Sequence, residues 1–151
     1  MISGDIIADV GSDHAYLPIW LYLNKKIKKA YALDISEKCL DTARRNLKKY
    51  NISEEIITPV LSDGLSGLSD PAEPTDIIIA GMGAMNIAEI LSNAGEKLKI
   101  PGAEYNFILQ PNNKPEFLRD FLNENRFYTV RDIKIKSRSR VYNIINANLY
   151  T

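Results

Sequence analysis

Short apolar runs alternate with segments of helical period along this chain, and that rhythm restricts the fold more than any other feature. Asp5–Gly11 reads as a strand, and Ala15–Asn24 as a helix in which Pro18 is tolerable only in the first turn. Ala30–Asp34 reads as a second strand. Ser36 is placed to cap a helix running to about Tyr50, with Leu40, Ala43, Leu47 and Tyr50 on one face. Ile56–Leu61 and Thr75–Ala80 read as strands, with a loop at Asp70–Pro74 between them. Gly81-Met82-Gly83 then turns into a helix that points Ile87, Ala88, Ile90, Leu91 and Ala94 inward. Tyr105–Gln110 reads as a fifth strand, broken by Pro111; Pro115 can open a helix burying Phe117, Leu118, Phe121 and Leu122. The end differs: Phe127–Ile135 and Val141–Leu149 alternate strongly around Lys136-Ser137-Arg138-Ser139-Arg140, the pattern of a hairpin. Strands that alternate with helices imply a mainly parallel α/β sheet covered by helices on both faces, here closed by an antiparallel pair.

The 151 residues fit one domain with a sizeable core. Net charge is zero and implies no partner, but its distribution is uneven. Residues 1–111 carry 11 basic and 15 acidic side chains, whereas residues 112–151 carry 8 and 4, a net of +4. Such a tail is either a solvated strand pair or a local attraction for phosphate. Cys39 is the only cysteine, which excludes an internal disulfide and suits an apolar filler in a helix. One histidine and one cysteine exclude a multi-His or Cys-rich zinc site within the chain, and no metal is expected. No basic-then-apolar leader and no apolar run near a membrane span is present, so a cytoplasmic protein without membrane contact is expected.

In a parallel α/β sheet, ligands sit at the carboxyl ends of the strands. Those ends carry Asp9, Gly11, Asp13 and His14; Asp34; Ser62-Asp63-Gly64; Ala80-Gly81-Met82-Gly83; and Gln110-Pro111-Asn112. Four carboxylates on one rim oppose a phosphate-rich cofactor and suit one with hydroxyls, an amine and a sulfonium. Asp34, 23 residues after Gly11, can accept from two ribose hydroxyls or can cap the following helix. A pyrophosphate needs G-x-G-x-x-G opening a helix, but here the second glycine place holds Asp13 and the third falls at Tyr16. Asp13 repels a diphosphate and tolerates a cationic amino-acid tail. Asp9 can reach that ammonium or can merely pin the loop. Asp63 can accept from an adenine amino group beside the backbone of Gly64, or can be a turn residue. Gly81 and Gly83 permit close backbone approach, or form a tight turn.

The stretches "ADVGSDHAYLP", "SDGL", "IAGMGA" and "ILQPNN", in this order, resemble the bacterial tRNA (adenine(22)-N1)-methyltransferase family from about Ile6 to Tyr142. The resemblance implies a Rossmann-like class I methyltransferase fold with a seven-stranded sheet, S-adenosylmethionine as cofactor and tRNA as substrate. It implies that Asp9, Gly11, Asp13, Asp34, Asp63, Gly64, Gly81, Met82 and Gly83 bind the cofactor, with Asp34 standing where family members often have Glu. Gly81-Met82-Gly83 and Gln110-Pro111-Asn112 resemble the motifs lining the reacting centre. His14, Tyr16, Gln110 and Asn112 are the expected pocket residues, the rings for stacking and the amides for the Watson–Crick edge. His14 as a helix-start residue and Tyr16 as a core aromatic are the plainer alternatives. Lys134, Lys136, Arg138 and Arg140 are the expected RNA phosphate contacts.

The sequence departs from the family in places. Ala84 replaces a usual glycine, and the hairpin "IKIKSRSRVYNI" is basic where relatives tend to be acidic, with Asn143 after Tyr142. Family members usually begin with a helix and end with a coiled-coil extension. Both are expected to be absent, leaving residues 1–151 as a single catalytic domain, a fragment or reduced member. The competing expectations are a methyltransferase of the same fold acting on a small molecule or protein, an NAD-dependent oxidoreductase, and an RNA-binding module without turnover.

Overall fold

A computed structural model describes residues 1–149. Seven strands form one sheet in the order β3-β2-β1-β4-β5-β7-β6. They are β1 (Ile6–Val10), β2 (Lys29–Asp34), β3 (Ile57–Leu61), β4 (Asp76–Met82), β5 (Asn106–Pro111), β6 (Phe127–Ser137) and β7 (Arg140–Leu149). The first five pair in parallel; β7 runs antiparallel between β5 and β6. The chain order reverses beside β1, so β1 and β4 flank the crevice where such sheets bind ligands.

Four helices cover the two faces because strand side chains alternate between them. Ala8 and Val10 of β1 pack with Ile77, Ile79, Phe107 and Leu109 under α3 (Ala84–Ala94) and α4 (Pro115–Glu124). Ile7, Ala30, Ala32 and Ile78 pack under α1 (Tyr16–Leu23) and α2 (Glu37–Lys49). Ser36 caps α2, its hydroxyl accepting from the Cys39 N–H at 3.4 Å. Leu40, Ala43 and Leu47 are buried as their spacing predicts, whereas Tyr50 lies exposed past the helix end. Pro18 lies in the first turn of α1, where its missing N–H removes no helical bond. No helix among the described residues is long and apolar enough to cross a membrane.

Several local expectations are corrected. β4 does not end at Ala80; it continues to Met82 through a bulge at Gly81, whose φ of 76° suits glycine. Pro111 does not break β5 but ends it, paired with Met82, since a terminal strand position tolerates a missing N–H. Phe117 is exposed, because Leu118 and Leu122 already occupy the inner face of α4. The hairpin loop is shorter than five residues: Lys136 and Ser137 belong to β6, Arg140 to β7, and Arg138-Ser139 alone make the turn. Cys39, expected as an apolar filler in a helix, lies in α2 but is only half-buried.

Candidate functional site

The first loop is built by backbone geometry. Gly11, Asp13 and Ala15 all have positive φ, at 71°, 53° and 58°. This is a G-x-G-x-G backbone on which only the first place is glycine. The third left-handed residue is Ala15, not Tyr16 as the fingerprint spacing predicts. An L-residue in this region costs about 1–2 kcal/mol, so neighbours must hold the loop. Gly11 N–H and Ser12 N–H both donate to Leu33 O, at 2.8 and 2.9 Å. Asp13 N–H donates to Asp34 Oδ2 at 2.9 Å, and Asn46 Nδ2 to His14 O at 2.9 Å. Ala15→Gly is expected to change unfolding stability by less than about 1 kcal/mol, because the relieved strain is offset by glycine's entropy and by the loss of a methyl buried in the core. Urea denaturation reads this directly, and a loss of more than about 1 kcal/mol would show that the loop is not strained there.

Gly11 has a second reason to be glycine. A Cβ there would lie 2.1 Å from Cε of Met82, which crosses beneath the loop from β4. Met82, Gly11, Asp13, Asp34, Asp63, Gly64 and Gly81 line a single cavity of about 360 Å³ at the strand carboxyl ends. Ile35 and Ile90 add apolar walls, and no cationic side chain lines it. Gly83 is the N-cap of α3, and Asn113 Oδ1 accepts from the Ala84 N–H at 3.3 Å. That amide serves the helix start which Gly83, lacking a side chain, cannot.

Asp34 is buried at the end of β2. Its Oδ2 holds Asp13 N–H and its Oδ1 accepts from Ser36 N–H at 2.9 Å. A carboxylate has about four acceptor positions, so two remain for a ligand. The helix-cap and ligand readings of this residue are therefore compatible.

Asp9 is nearly inaccessible and does not line the cavity. Its Oδ2 accepts from Ser12 Oγ at 2.7 Å. Burial raises its carboxyl, the Ser12 hydrogen bond pulls it down and the charge of Asp34 raises it again, which together leave it at about 6. In the unfolded chain the group ionises near 3.8. Between those values the unfolded state loses its proton while the folded state keeps it. Stability is therefore expected to fall as pH rises from about 4 through 6, by about 3 kcal/mol, and then to level. Asp9→Asn should flatten that slope in denaturation midpoints measured across this range; an unchanged slope would assign it elsewhere.

The expected pocket rings lie outside the cavity. Tyr16 is 59% exposed, which removes the core-aromatic alternative. His14 Nε2 lies 3.2 Å from Asp13 Oδ1, and its ring meets that of Tyr16 edge-on at 5.8 Å. Gln110 and Asn112 are committed to the bulge: Gly81 N–H donates to Gln110 Oε1 at 3.0 Å, and Asn112 Nδ2 donates to Gly81 O at 2.6 Å. Gln110 Nε2 further donates to Pro111 O at 2.9 Å and Asn112 Oδ1 at 3.3 Å. The amides thus shape the loop that faces the cavity.

Lys134, Lys136, Arg138 and Arg140 are all exposed on the β6–β7 hairpin, and none makes an ion pair among the described residues. The hairpin is fixed at its base by Arg119 of α4, whose Nε donates to Asp132 Oδ2 at 2.6 Å. Ile35, Ile90 and Asn113 were not legible as site residues. Ile35 had a signal: it is an apolar residue directly after a strand-end acid, and it stays 72% exposed.

A methyltransferase-domain family model matches residues 1–145. The chain is 34% identical over 145 residues to the tRNA (adenine(22)-N(1))-methyltransferase of Bacillus subtilis, covering 96% of this chain and 59% of that protein. It also resembles Sp1610 of Streptococcus pneumoniae crystallised with S-adenosyl-L-methionine (35% identity, TM-score 0.88, 99% of this chain and 68% of that one). A third similar structure is TrmK of M. capricolum with S-adenosyl-homocysteine (32% identity, TM-score 0.82, 97% and 62%). The chain spans about three fifths of the length of the curated relatives it matches.

Proposed function

From the premise that the chain belongs to the tRNA (adenine(22)-N1)-methyltransferase family of methyltransferase domains, we propose that it methylates N1 of an adenine in tRNA, position 22 being the family's target, with S-adenosylmethionine as donor. The carrying observation is the acid-rimmed cavity beneath a G-x-G-x-G backbone whose glycines are largely replaced. Its lining carboxylates, with no cation among them, fit an uncharged ribose and a cationic tail and disfavour a diphosphate. When bound, the cofactor supplies an electrophilic methyl on a sulfonium.

In this reading the two spare acceptor positions of Asp34 take the ribose hydroxyls. Asp63 accepts from the adenine amino group, and Ile35 and Ile90 flank the ring. Asp13 faces the amino-acid end, with Gly11 and Gly81 keeping the backbone close. Asp9 acts beneath the loop, where its charge adds to the field felt by the ammonium. Adenine N1 offers an in-plane lone pair, so no base need remove a proton before transfer; the chain's contribution is position and charge. Gln110 and Asn112 hold the Gly81 bulge where the target base must arrive. His14 and Tyr16 offer exposed rings on the outer side for a base drawn out of its stack. Lys134, Lys136, Arg138 and Arg140 hold RNA phosphate, which ties affinity to salt. Residues 1–151 serve as one catalytic domain.

The test is incubation with labelled S-adenosylmethionine and unmodified tRNA, followed by digestion and mapping of the methylated nucleoside. Label at adenine N1 is expected. Label on another atom overturns the substrate, and cofactor binding without transfer makes the chain a binding module. Tight NAD binding in a parallel titration would overturn the cofactor.

A further inference from the structure

A second cavity, of about 380 Å³, opens beside the first at the carboxyl end of β5. Gln110, Pro111, Asn112 and Pro115 form one side, and the start of β7, from Arg140 to Asn143, forms the other. The two cavities meet at one partition. Gln110 and Asn112, which line the second, bond both polar backbone atoms of Gly81, which lines the first. Any molecule in the second cavity therefore lies against the loop that shapes the cofactor cleft.

The chemistry of the second cavity is different from that of the first. No carboxylate lines it, and its one charged group is the Arg140 guanidinium. Arg140 forms no ion pair among the described residues, so its charge is not already neutralised. Two residues on, Tyr142 stands on the same strand and presents a half-buried ring to the cavity. Strand residues i and i+2 share a face, so guanidinium and ring point the same way. A guanidinium recognises phosphate oxygens in a fork, and an aromatic face recognises a base by stacking. Prolines 111 and 115 add a stiff apolar edge.

We propose that this cavity seats a phosphorylated nucleoside, the nucleotide of the RNA substrate that adjoins the methylated one, with its phosphate on Arg140 and its base against Tyr142. The identity of that nucleotide as a neighbour of the target rests on the function proposed above; the recognition of a phosphorylated nucleoside does not. The arrangement gives the short basic hairpin a role beyond general attraction. It sets the register of the strand so that the following base enters the cofactor cleft across the Gly81 partition. Tyr142 is accordingly a positioning residue.

The test has two independent readouts on the whole chain. In the first, Tyr142 ring signals, identified by their loss in Tyr142→Phe, are followed by NMR while AMP or adenosine is added. Excess S-adenosylhomocysteine is present to occupy the cofactor cleft. AMP is expected to move those signals and to bind at least about fivefold more tightly than adenosine, with Arg140→Ala abolishing the difference. Equal binding of the two, or shifts that spare Tyr142, would overturn the site.

The second readout is methyl transfer. Tyr142→Ala is expected to raise KM for tRNA about tenfold or more while leaving S-adenosylmethionine affinity unchanged, and Tyr142→Phe to restore it. A purely structural role would instead lower cofactor affinity or stability in both variants. If methyl transfer is absent altogether, the failure belongs to the proposed function, and the AMP titration still decides the site.

Discussion

Asp34→Ala is expected to weaken S-adenosylhomocysteine binding by at least about 100-fold and to cost about 2–4 kcal/mol of stability. The first number follows from the two charge-assisted hydrogen bonds proposed between Asp34 and the ribose, each worth about 1.5–3 kcal/mol. The second follows from the donors left behind: Asp13 N–H and Ser36 N–H both lose their acceptor, and an unsatisfied donor costs about 1–3 kcal/mol, at the lower end for part-buried groups such as these. The loss also falls on the strained positive-φ conformation of Asp13, which that bond helps to hold. Removing the Asp34 charge takes away one of the influences that raise the Asp9 carboxyl, so that group should ionise at lower pH in the variant. Calorimetric titration and urea denaturation measure the two effects separately. Destabilisation with undiminished affinity would leave Asp34 a loop anchor only.

Asp76→Ala is expected to be the more damaging change to the fold, by about 3–5 kcal/mol, with a melting temperature lower by about 10 °C. Asp76 is fully buried at the start of β4. Its carboxylate accepts from Ser3 N–H at 3.0 Å, Ser3 Oγ at 3.0 Å and Gly4 N–H at 2.7 Å, and also from Asn106 Nδ2. Asn106 in turn accepts from Asn146, whose Nδ2 also donates to Phe107 O at 3.0 Å. One carboxylate thus joins the chain before β1 to β4, β5 and β7. Nothing apolar can replace it without orphaning several donors. Asp76→Asn keeps one acceptor oxygen and should recover part of the loss. The cluster lies at the opposite end of the strands from the cavity, so any variant that still folds should bind cofactor normally. Thermal melts and calorimetry check both halves; reduced affinity in folded Asp76→Asn would contradict the separation.

These two aspartates differ in how much of their role could be read in advance. Asp34 ends an apolar strand at a fixed distance from Gly11, and the link between strand ends and ligand sites marks it. Asp76 falls inside the expected strand Thr75–Ala80, just before three isoleucines, and nothing local marks it, because its partners lie up to 73 residues away. Gln110 and Asn112 show the same limit: strand-end position identified them as rim residues, but not that they bond Gly81 and shape its bulge. Helical spacing places Phe117 on the buried face of its helix, yet it is exposed, since that spacing admits a wider apolar stripe than the sheet could cover.

Local periodicity determined the order of strands and helices, the closing antiparallel pair, and the set of residues at the carboxyl rim. These depend on side chains a few positions apart, and α/β connections leave few ways to assemble such units. Tertiary structure alone decided which rim groups face a cavity and which are spent on one another. It placed Asp9 beneath the loop, turned Asp13 and Ala15 into left-handed positions, and set Arg140 and Tyr142 beside Gln110. Each of those outcomes balances local strain or desolvation against hydrogen bonds from distant strands, and such a balance exists only once the sheet has brought them together.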